Sequence, residues 1–521
     1  MSKALLTVLA LVSAVAVAMS MQTVARGSAE PGGGVIGQSS RPNVVVLMTD
    51  DETVQDMAVM PRTRALLGAH GVTFARSYVS YPVCCPSRAT FFSGQYAHNH
   101  RVMGLYPPTG GYARFNRWNS LPVWLERAGY VTAHIGKYLN GYGTQIPADV
   151  PPGWTEWHGA VDGSTYRMWG YTLNENGRRR TYGSPFAQDP RLYQTDVYSG
   201  KAVDFIKRRA SGRRPFFLSV AFLAPHHESA SIRAVTGKLV RPAPRDARSL
   251  ANLSLEPTRA FDEADMTDKP PFLRRTPLRL RAMDRIAEHF RQRQRSLLAV
   301  DDAVQAIVDA LREQGELRNT YILFTSDNGY MQGEHDVPSG KMLPYDPSTQ
   351  VPLLLRGPGI PSGQVSDELV GNVDLAPTIV QIAGARAGLP LDGRSLLPFA
   401  RSPARRTRRP LLHETGGLRY VPVRDQDQDG APAVRRLLSY RAVRTNRWLY
   451  VEYRDGAREL YDLARDPNEL HSHYPDPAYG PVRRTLHRVL ERLADCRAAA
   501  CRKPAPPAAN SGPSDRRPAI G

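Results

Sequence analysis

Two oxygen-bearing pairs, Asp50-Asp51 and Asp327-Asn328, each follow an apolar run rich in strand formers, Val44–Met48 and Tyr321–Phe324. Together they supply four hard donors with no thiolate–imidazole cluster beside them, the set that Ca2+ or Mg2+ prefers over zinc. Two more apolar runs end in chemistry of another kind: Val131–Ile135 delivers Gly136-Lys137, and Phe216–Phe222 delivers Pro225-His226-His227. The chain has only 8 Lys against 60 Arg, so Lys137 and Lys341, each placed directly after a glycine, stand out from the surface-charge background. Cys84 and Cys85 lie in Val83-Cys84-Cys85-Pro86-Ser87-Arg88-Ala89-Thr90, read as a loop ahead of a helix. Adjacent cysteines bridge only with strain, which leaves at least one thiol for chemistry. Cys496 and Cys501 are spaced to close a small disulfide loop in an exported protein.

Groups so far apart in sequence meet only if the strands that carry them lie side by side. In open α/β sheets, ligands bind at the carboxyl ends of strands, where these residues fall. The strand-like runs, with Pro352–Leu355 as a fifth, alternate with helical patterns at Pro61–His70, Leu121–Ala128, Asp196–Arg209 and Ala282–Gln314. That alternation predicts an α/β domain over about 41–400, a mostly parallel sheet sandwiched by helices. A Pro/Arg-rich stretch, Arg401–Pro410, reads as a linker to a small C-terminal α+β subdomain over 411–501. Its expected strands are Leu437–Val443, Trp448–Tyr453 and Glu459–Leu463, and its expected helix Pro481–Ala494. The Pro-rich segment 502–521 reads as a disordered tail.

The whole chain has 521 residues, 41% hydrophobic and 22% charged, which excludes a disordered, collagenous or multi-pass membrane protein. Residues 1–25 read as a signal peptide, because the apolar run Ala4–Ala18 is short for a bilayer span and is followed by small residues. An uncleaved anchor is the alternative. Residues 26–40 then form a Gly/Ser-rich flexible linker, and the mature protein is expected to be secreted or extracytoplasmic, without stable membrane insertion. The net charge of +19 comes from arginine. It is joined by no zinc-finger spacing, aromatic RNA-binding motif or long basic block, so nucleic acid is not an expected partner. A sulfated or phosphorylated substrate suits the charge.

The C-x-P-S-R pattern at Cys84–Arg88, continued by Gly94-Gln95-Tyr96, resembles the signature of the formylglycine-dependent (type I) sulfatase family. Other motifs agree in the same order. Arg41-Pro42-Asn43 leading to Asp50-Asp51 is similar to the family's first strand and metal pair, and Gly136-Lys137 and Gly340-Lys341 to its two sulfate-binding lysines. Ala224-Pro225-His226 is similar to its histidine motif, Ser326-Asp327-Asn328-Gly329 to its second metal pair, and Glu459–Leu463 with Asp466–Glu469 to its closing small-sheet motif.

The resemblance implies an alkaline-phosphatase-like core and a sulfuric ester hydrolase acting on a sulfated sugar or aryl alcohol. It also implies a formylglycine-generating enzyme as the maturation partner that converts Cys84 to Cα-formylglycine. The implied metal ligands are Asp50, Asp51, residue 84, Asp327 and Asn328, holding Ca2+, with Mg2+ as the alternative. An aldehyde hydrate at residue 84 has two hydroxyls, one to attack sulfur and one to expel sulfate afterwards. Arg88 and the metal would hold that nucleophile, Lys137 and Lys341 would neutralise the sulfate oxygens, and His226 would protonate the leaving oxygen. His227 and His335 are second choices.

One position departs from the pattern: Leu139 stands where many arylsulfatases carry a histidine, so the help that side chain gives to sulfate elimination does not carry over. The double cysteine, His98-Asn99-His100 and Phe261–Pro270 resemble the branch containing N-acetylglucosamine-6-sulfatase and the extracellular heparan endosulfatases. Two alternatives stay open on the sequence alone, a formylglycine-dependent phosphonate monoester or phosphodiester hydrolase and a catalytically silent glycan-binding protein.

Overall fold

The computed structural model describes residues 41–210, 212–274, 277–416 and 439–511. The expected signal peptide and linker, the first two residues of the expected strand Leu437–Val443 and the last ten of the tail lie outside the described residues.

In chain order the strands are β1 (Asn43–Asp50), β2 (Val72–Phe74), β3 (Ser77–Tyr78), β4 (Val131–Gly136), β5 (Glu156–Ala160), β6 (Tyr171–Glu175), β7 (Arg178–Tyr182) and β8 (Phe216–Pro225). They continue with β9 (Thr320–Ser326), β10 (Leu353–Arg356), β11 (Gln364–Ser366), β12 (Val370–Gly371), β13 (Leu411–Thr415), β14 (Tyr440–Arg444), β15 (Trp448–Tyr453) and β16 (Arg458–Asp462). Ten of them make one sheet in the order β11-β2-β10-β9-β1-β8-β4-β5-β6-β7. Its centre, β9-β1-β8-β4-β5, is parallel, whereas β10, β2, β6 and β7 join through antiparallel pairings.

The centre is parallel because both of its faces are buried, which suits the unbroken apolar sequence of β1. Side chains alternate across the sheet: Val44, Val46 and Met48 enter one core, and Val45 and Leu47 the other. Helices α1 (Cys84–Ser93), α2 (Leu121–Arg127) and α5 (Leu375–Ala383) contribute to the first core. Helices α3 (Gln194–Arg209) and α4 (Leu280–Glu313) cover the second. Helix α4 buries Leu297, Val300, Val304, Ile307, Val308 and Leu311, one stripe at helical spacing.

Register aligns the strand ends at one edge of the sheet. Thr49 lies opposite Ser326, Asp50 opposite Pro225 and Gly136 opposite Ala221, so the residues just beyond them emerge together. Gly136 is required there. It has φ 103°, and a Cβ would fall 2.1 Å from the Ala221 carbonyl oxygen.

The C-terminal strands form the antiparallel sheet β13-β14-β15-β16, and helix α6 (Gly480–Ala494) buries Val482, Leu486, Val489, Leu490 and Leu493 in the core that this sheet shares. Cys496 and Cys501 are joined as a disulfide.

Three expectations need correction. The segment after Val83 is not a loop, because helix α1 begins at Cys84 itself; Pro86 falls in the first turn, where proline needs no N–H partner. The stretch 401–410 is no free linker, since Arg409 is buried and pairs with Asp374 at 2.7 Å. The start of the tail is also ordered: Ala505 and Ala509 are buried in the same core as α6, and the Ala505 N–H donates to Arg408 C=O at 2.7 Å.

Candidate active site

Four adjacent strand ends and the start of α1 build one buried polar centre. Strand β1 ends in Asp50, followed by Asp51 in the left-handed region at φ 69°. Strand β4 leads to Lys137, β8 to His226 and β9 to Asp327 and Asn328. The Cys84 thiol donates to Asp50 Oδ1 at 3.3 Å and receives a bond from Lys341 Nζ at 3.0 Å. Lys341 also donates to Asp51 Oδ1 at 2.6 Å, and Lys137 Nζ lies 2.6 Å from Asp50 Oδ2. Arg88, four residues into the helix, donates to Asp327 Oδ2 at 2.7 Å, Asp50 Oδ2 at 3.2 Å and the Lys137 carbonyl at 2.7 Å.

His226 is fixed by a 2.7 Å contact from Nδ1 to the His227 carbonyl. A carbonyl only accepts, so Nδ1 carries a proton and Nε2 is the atom turned to the centre, 3.6 Å from Asp51 Oδ2. All nine residues singled out for the site, Asp50, Asp51, Cys84, Arg88, Lys137, His226, Asp327, Asn328 and Lys341, are brought together and buried.

The charges are held by opposites. Burial alone would raise the Asp51 carboxyl, but Lys341, His226 and Arg293 outweigh it and hold it below its ordinary value. Burial and the neighbouring Asp50 carboxylate push Asp327 the other way.

The oxygen donors of Asp50, Asp51, Asp327 and Asn328 fit a hard divalent cation. The sequence expectation of no thiolate–imidazole pair beside them is corrected, because the Cys84 sulfur and a His226 nitrogen join the cluster. One donor atom from each of Asp50, Asp51, Cys84 and His226 lies within 4.8 Å of the others. Asp51 Oδ2 and Asn328 Oδ1 are buried oxygens with no hydrogen-bond donor among the described residues. Such orphaned acceptors are costly unless a cation takes them.

The second-choice histidines divide. His227 stacks on His226, ring centroids 4.2 Å apart. His335 is engaged elsewhere, with Nδ1 2.6 Å from Glu263 Oε2 and its ring 4.2 Å from that of Tyr345. Leu139 is buried in the core.

Two supporting residues had no signal in the sequence. Arg293, inside α4, donates to the Asp51 carbonyl at 2.6 Å and to Asp56 Oδ2 at 2.8 Å. Tyr166 lies under Lys137 Nζ, 4.4 Å from the ring centroid, and against the His226 ring at 4.9 Å. An arginine in an arginine-rich chain and a tyrosine outside any motif look like background.

The family model described as Sulfatase matches residues 42–385, and that of N-sulphoglucosamine sulphohydrolase, C-terminal, matches residues 333–496. The chain belongs to the sulfatase family. Its sulfatase relatives include N-acetylglucosamine-6-sulfatase of Homo sapiens, 38% identical over 71% of this chain and 66% of that protein. The extracellular sulfatase SULF-1 homolog of Drosophila melanogaster is 35% identical over 71% of this chain and 32% of its own length. The arylsulfatase of Volvox carteri is 33% identical over 89% and 76%. The chain thus spans less than two thirds of the length of the first two.

Among solved structures, one in complex with its substrate D-glucosamine-2-N,6-O-disulfate superposes with a TM-score of 0.69 at 23% identity, covering 87% of this chain and 97% of that one. A 2-O GAG sulfatase superposes with a TM-score of 0.64 at 21% identity, covering 91% and 98%. Both share the sulfatase fold, the alkaline-phosphatase-like sandwich with its small antiparallel C-terminal sheet.

Proposed function

We propose that this sulfatase hydrolyses a sulfate monoester of a sugar, using a Cα-formylglycine made from Cys84 by a formylglycine-generating enzyme, and that it acts as a secreted protein. The observation that carries this reading is the position of Cys84. It opens a helix, beside two acidic strand ends, with Lys341 on its sulfur and Arg88 keyed between Asp50 and Asp327. Extracellular sulfatases among the relatives support secretion. No helix among the described residues is long and apolar enough to cross a membrane.

Asp50, Asp51, Asp327 and Asn328 with residue 84 would hold Ca2+ or Mg2+. The ion supplies positive charge to a sulfate oxygen and to the nucleophile at residue 84. Around it, Arg88 fixes the two carboxylates so that neither turns to solvent. Lys137 and Lys341, which face Asp50 and Asp51, are placed to pair with sulfate oxygens once a cation takes over those carboxylates. His226 donates from Nδ1 to the His227 carbonyl, which turns Nε2 to the centre, and as the imidazolium, protonated on both nitrogens, it would pass the Nε2 proton to the leaving oxygen.

Intact-peptide mass tests the first step. The tryptic peptide Ser77–Arg88 from the mature protein is expected to weigh roughly 18 Da less than its cysteine form. Rates on an aryl sulfate and an aryl phosphodiester test the second. An unmodified peptide in active enzyme, or a strong preference for the diester, overturns the proposal.

A further inference from the structure

The turn that follows Lys137 separates the buried centre from a second cavity. Asn140 donates from Nδ2 to Tyr166 OH at 2.8 Å, on the side of Lys137 and His226. Its carbonyl accepts from the Tyr112 N–H at 2.7 Å, on the other side. There Tyr106, Tyr112, Arg117, Gly141, Ile146 and Asp149 line a cavity of about 200 Å³. The volume is below the roughly 300 Å³ at which pockets for drug-sized ligands begin, so it suits one ring rather than a chain.

The lining is chemically mixed. The Arg117 guanidinium lies 5.1 Å from the centroid of the Tyr112 ring and 5.7 Å from that of the exposed Trp118, which stands outside the lining. Arg117 has no ion pair among the described residues, and its buried Nε has no hydrogen-bond acceptor there. Asp149 accepts from Tyr112 OH and keeps further acceptor capacity. The rings of Tyr106 and Tyr112, an arginine without an ion pair among the described residues and a carboxylate form the complement of a sugar ring that carries both hydroxyls and an oxyanion.

We infer that this cavity is a subsite for a second, anionic sugar residue next to the one whose sulfate is cleaved. The Arg117 fork takes its carboxylate or sulfate, and Asp149 accepts from its hydroxyls. The inference rests on the sulfated-sugar reading above and adds the identity of the neighbouring residue.

The test uses the mature full chain with an aryl sulfate and three sulfated disaccharides whose second ring bears a carboxylate, a sulfate or only hydroxyls. In Arg117→Gln, KM for one or both anionic disaccharides is expected to rise about tenfold or more, while the neutral disaccharide and the aryl sulfate stay within about twofold. Which anionic substrate loses more identifies the oxyanion. Arg117→Lys keeps the charge and recovers part of the loss. Equal losses on all four substrates, or none on any, overturn the subsite. If the wild-type protein cleaves no sulfate ester, the sulfatase proposal falls instead; titrating the disaccharides against the protein by calorimetry then decides the subsite separately, since wild type must still bind an anionic disaccharide more tightly than Arg117→Gln does.

Discussion

Arg88 Nε donates to Asp327 Oδ2 at 2.7 Å across 239 residues of sequence, and the same guanidinium reaches Asp50 and the Lys137 carbonyl. One side chain of α1 thereby keys the ends of β1, β4 and β9. Removing it as Arg88→Ala would leave the buried Asp327 carboxylate without this ion pair and Asp50 with Lys137 alone, a loss of about 3–5 kcal/mol. Urea unfolding in EDTA is expected to show that loss, and a smaller one with excess Ca2+, because the cation takes up the same carboxylates. Arg88→Lys, which cannot make the fork, should recover only part. An unchanged midpoint would show that the guanidinium does not key the strand ends.

Asp51 Oδ2 and Asn328 Oδ1 frame the second prediction. Ca2+ at about a hundred times its dissociation constant should stabilise the protein by roughly 2.7 kcal/mol, read as a rise in Tm that EDTA reverses. Asp51→Asn and Asn328→Ala should each shrink that rise and abolish sulfate ester hydrolysis. A Ca2+ response of full size in both variants would place the cation elsewhere.

Much of this centre is legible in the sequence. A strand buried on both faces reads as an unbroken apolar run, and the residues next in sequence lie at the carboxyl edge of the sheet. Asp50, Lys137, His226 and Asp327 can be found in that way. Arg293 cannot, because its role depends on α4 crossing beneath the Asp51 carbonyl, a tertiary fact with no local pattern. The start of α1 at Cys84 is hidden by Pro86 and Ser87, which have loop composition but are tolerated in a first turn. The order of 502–511 is hidden for a different reason. Its buried residues are small alanines, held by backbone bonds and by Arg502 donating to the Gly393 carbonyl at 3.0 Å rather than by apolar periodicity.

That ordered segment yields a third prediction. The disulfide Cys496–Cys501 closes a loop with a sequence separation of 5 between α6 and the segment that packs beside it. Short loops restrict the unfolded chain modestly, so Cys496→Ser with Cys501→Ser should cost about 2 kcal/mol. Amide exchange is expected to quicken first over 498–511, while the strand ends of the main sheet keep their protection. A uniform loss of protection across the chain would mean that the bridge supports the whole fold instead.

His98 supplies a test in pH. Its Nδ1 lies 3.0 Å from Glu414 Oε1 on β13, and Nε2 lies 3.0 Å from the Cys496 carbonyl and 3.1 Å from Asn99 Nδ2. Burial disfavours the imidazolium, but the hydrogen bond and charge of Glu414 outweigh it and raise the His98 pKa in the folded state. A raised folded-state value means that the pair's contribution is fully present below the unfolded value of about 6.5 and is lost as pH rises through the higher folded one. The stability difference between wild type and His98→Gln, measured by urea unfolding, should therefore be larger at pH 6 than at pH 8.5. A difference that stays flat or grows with pH would show that His98 binds Glu414 as a neutral imidazole.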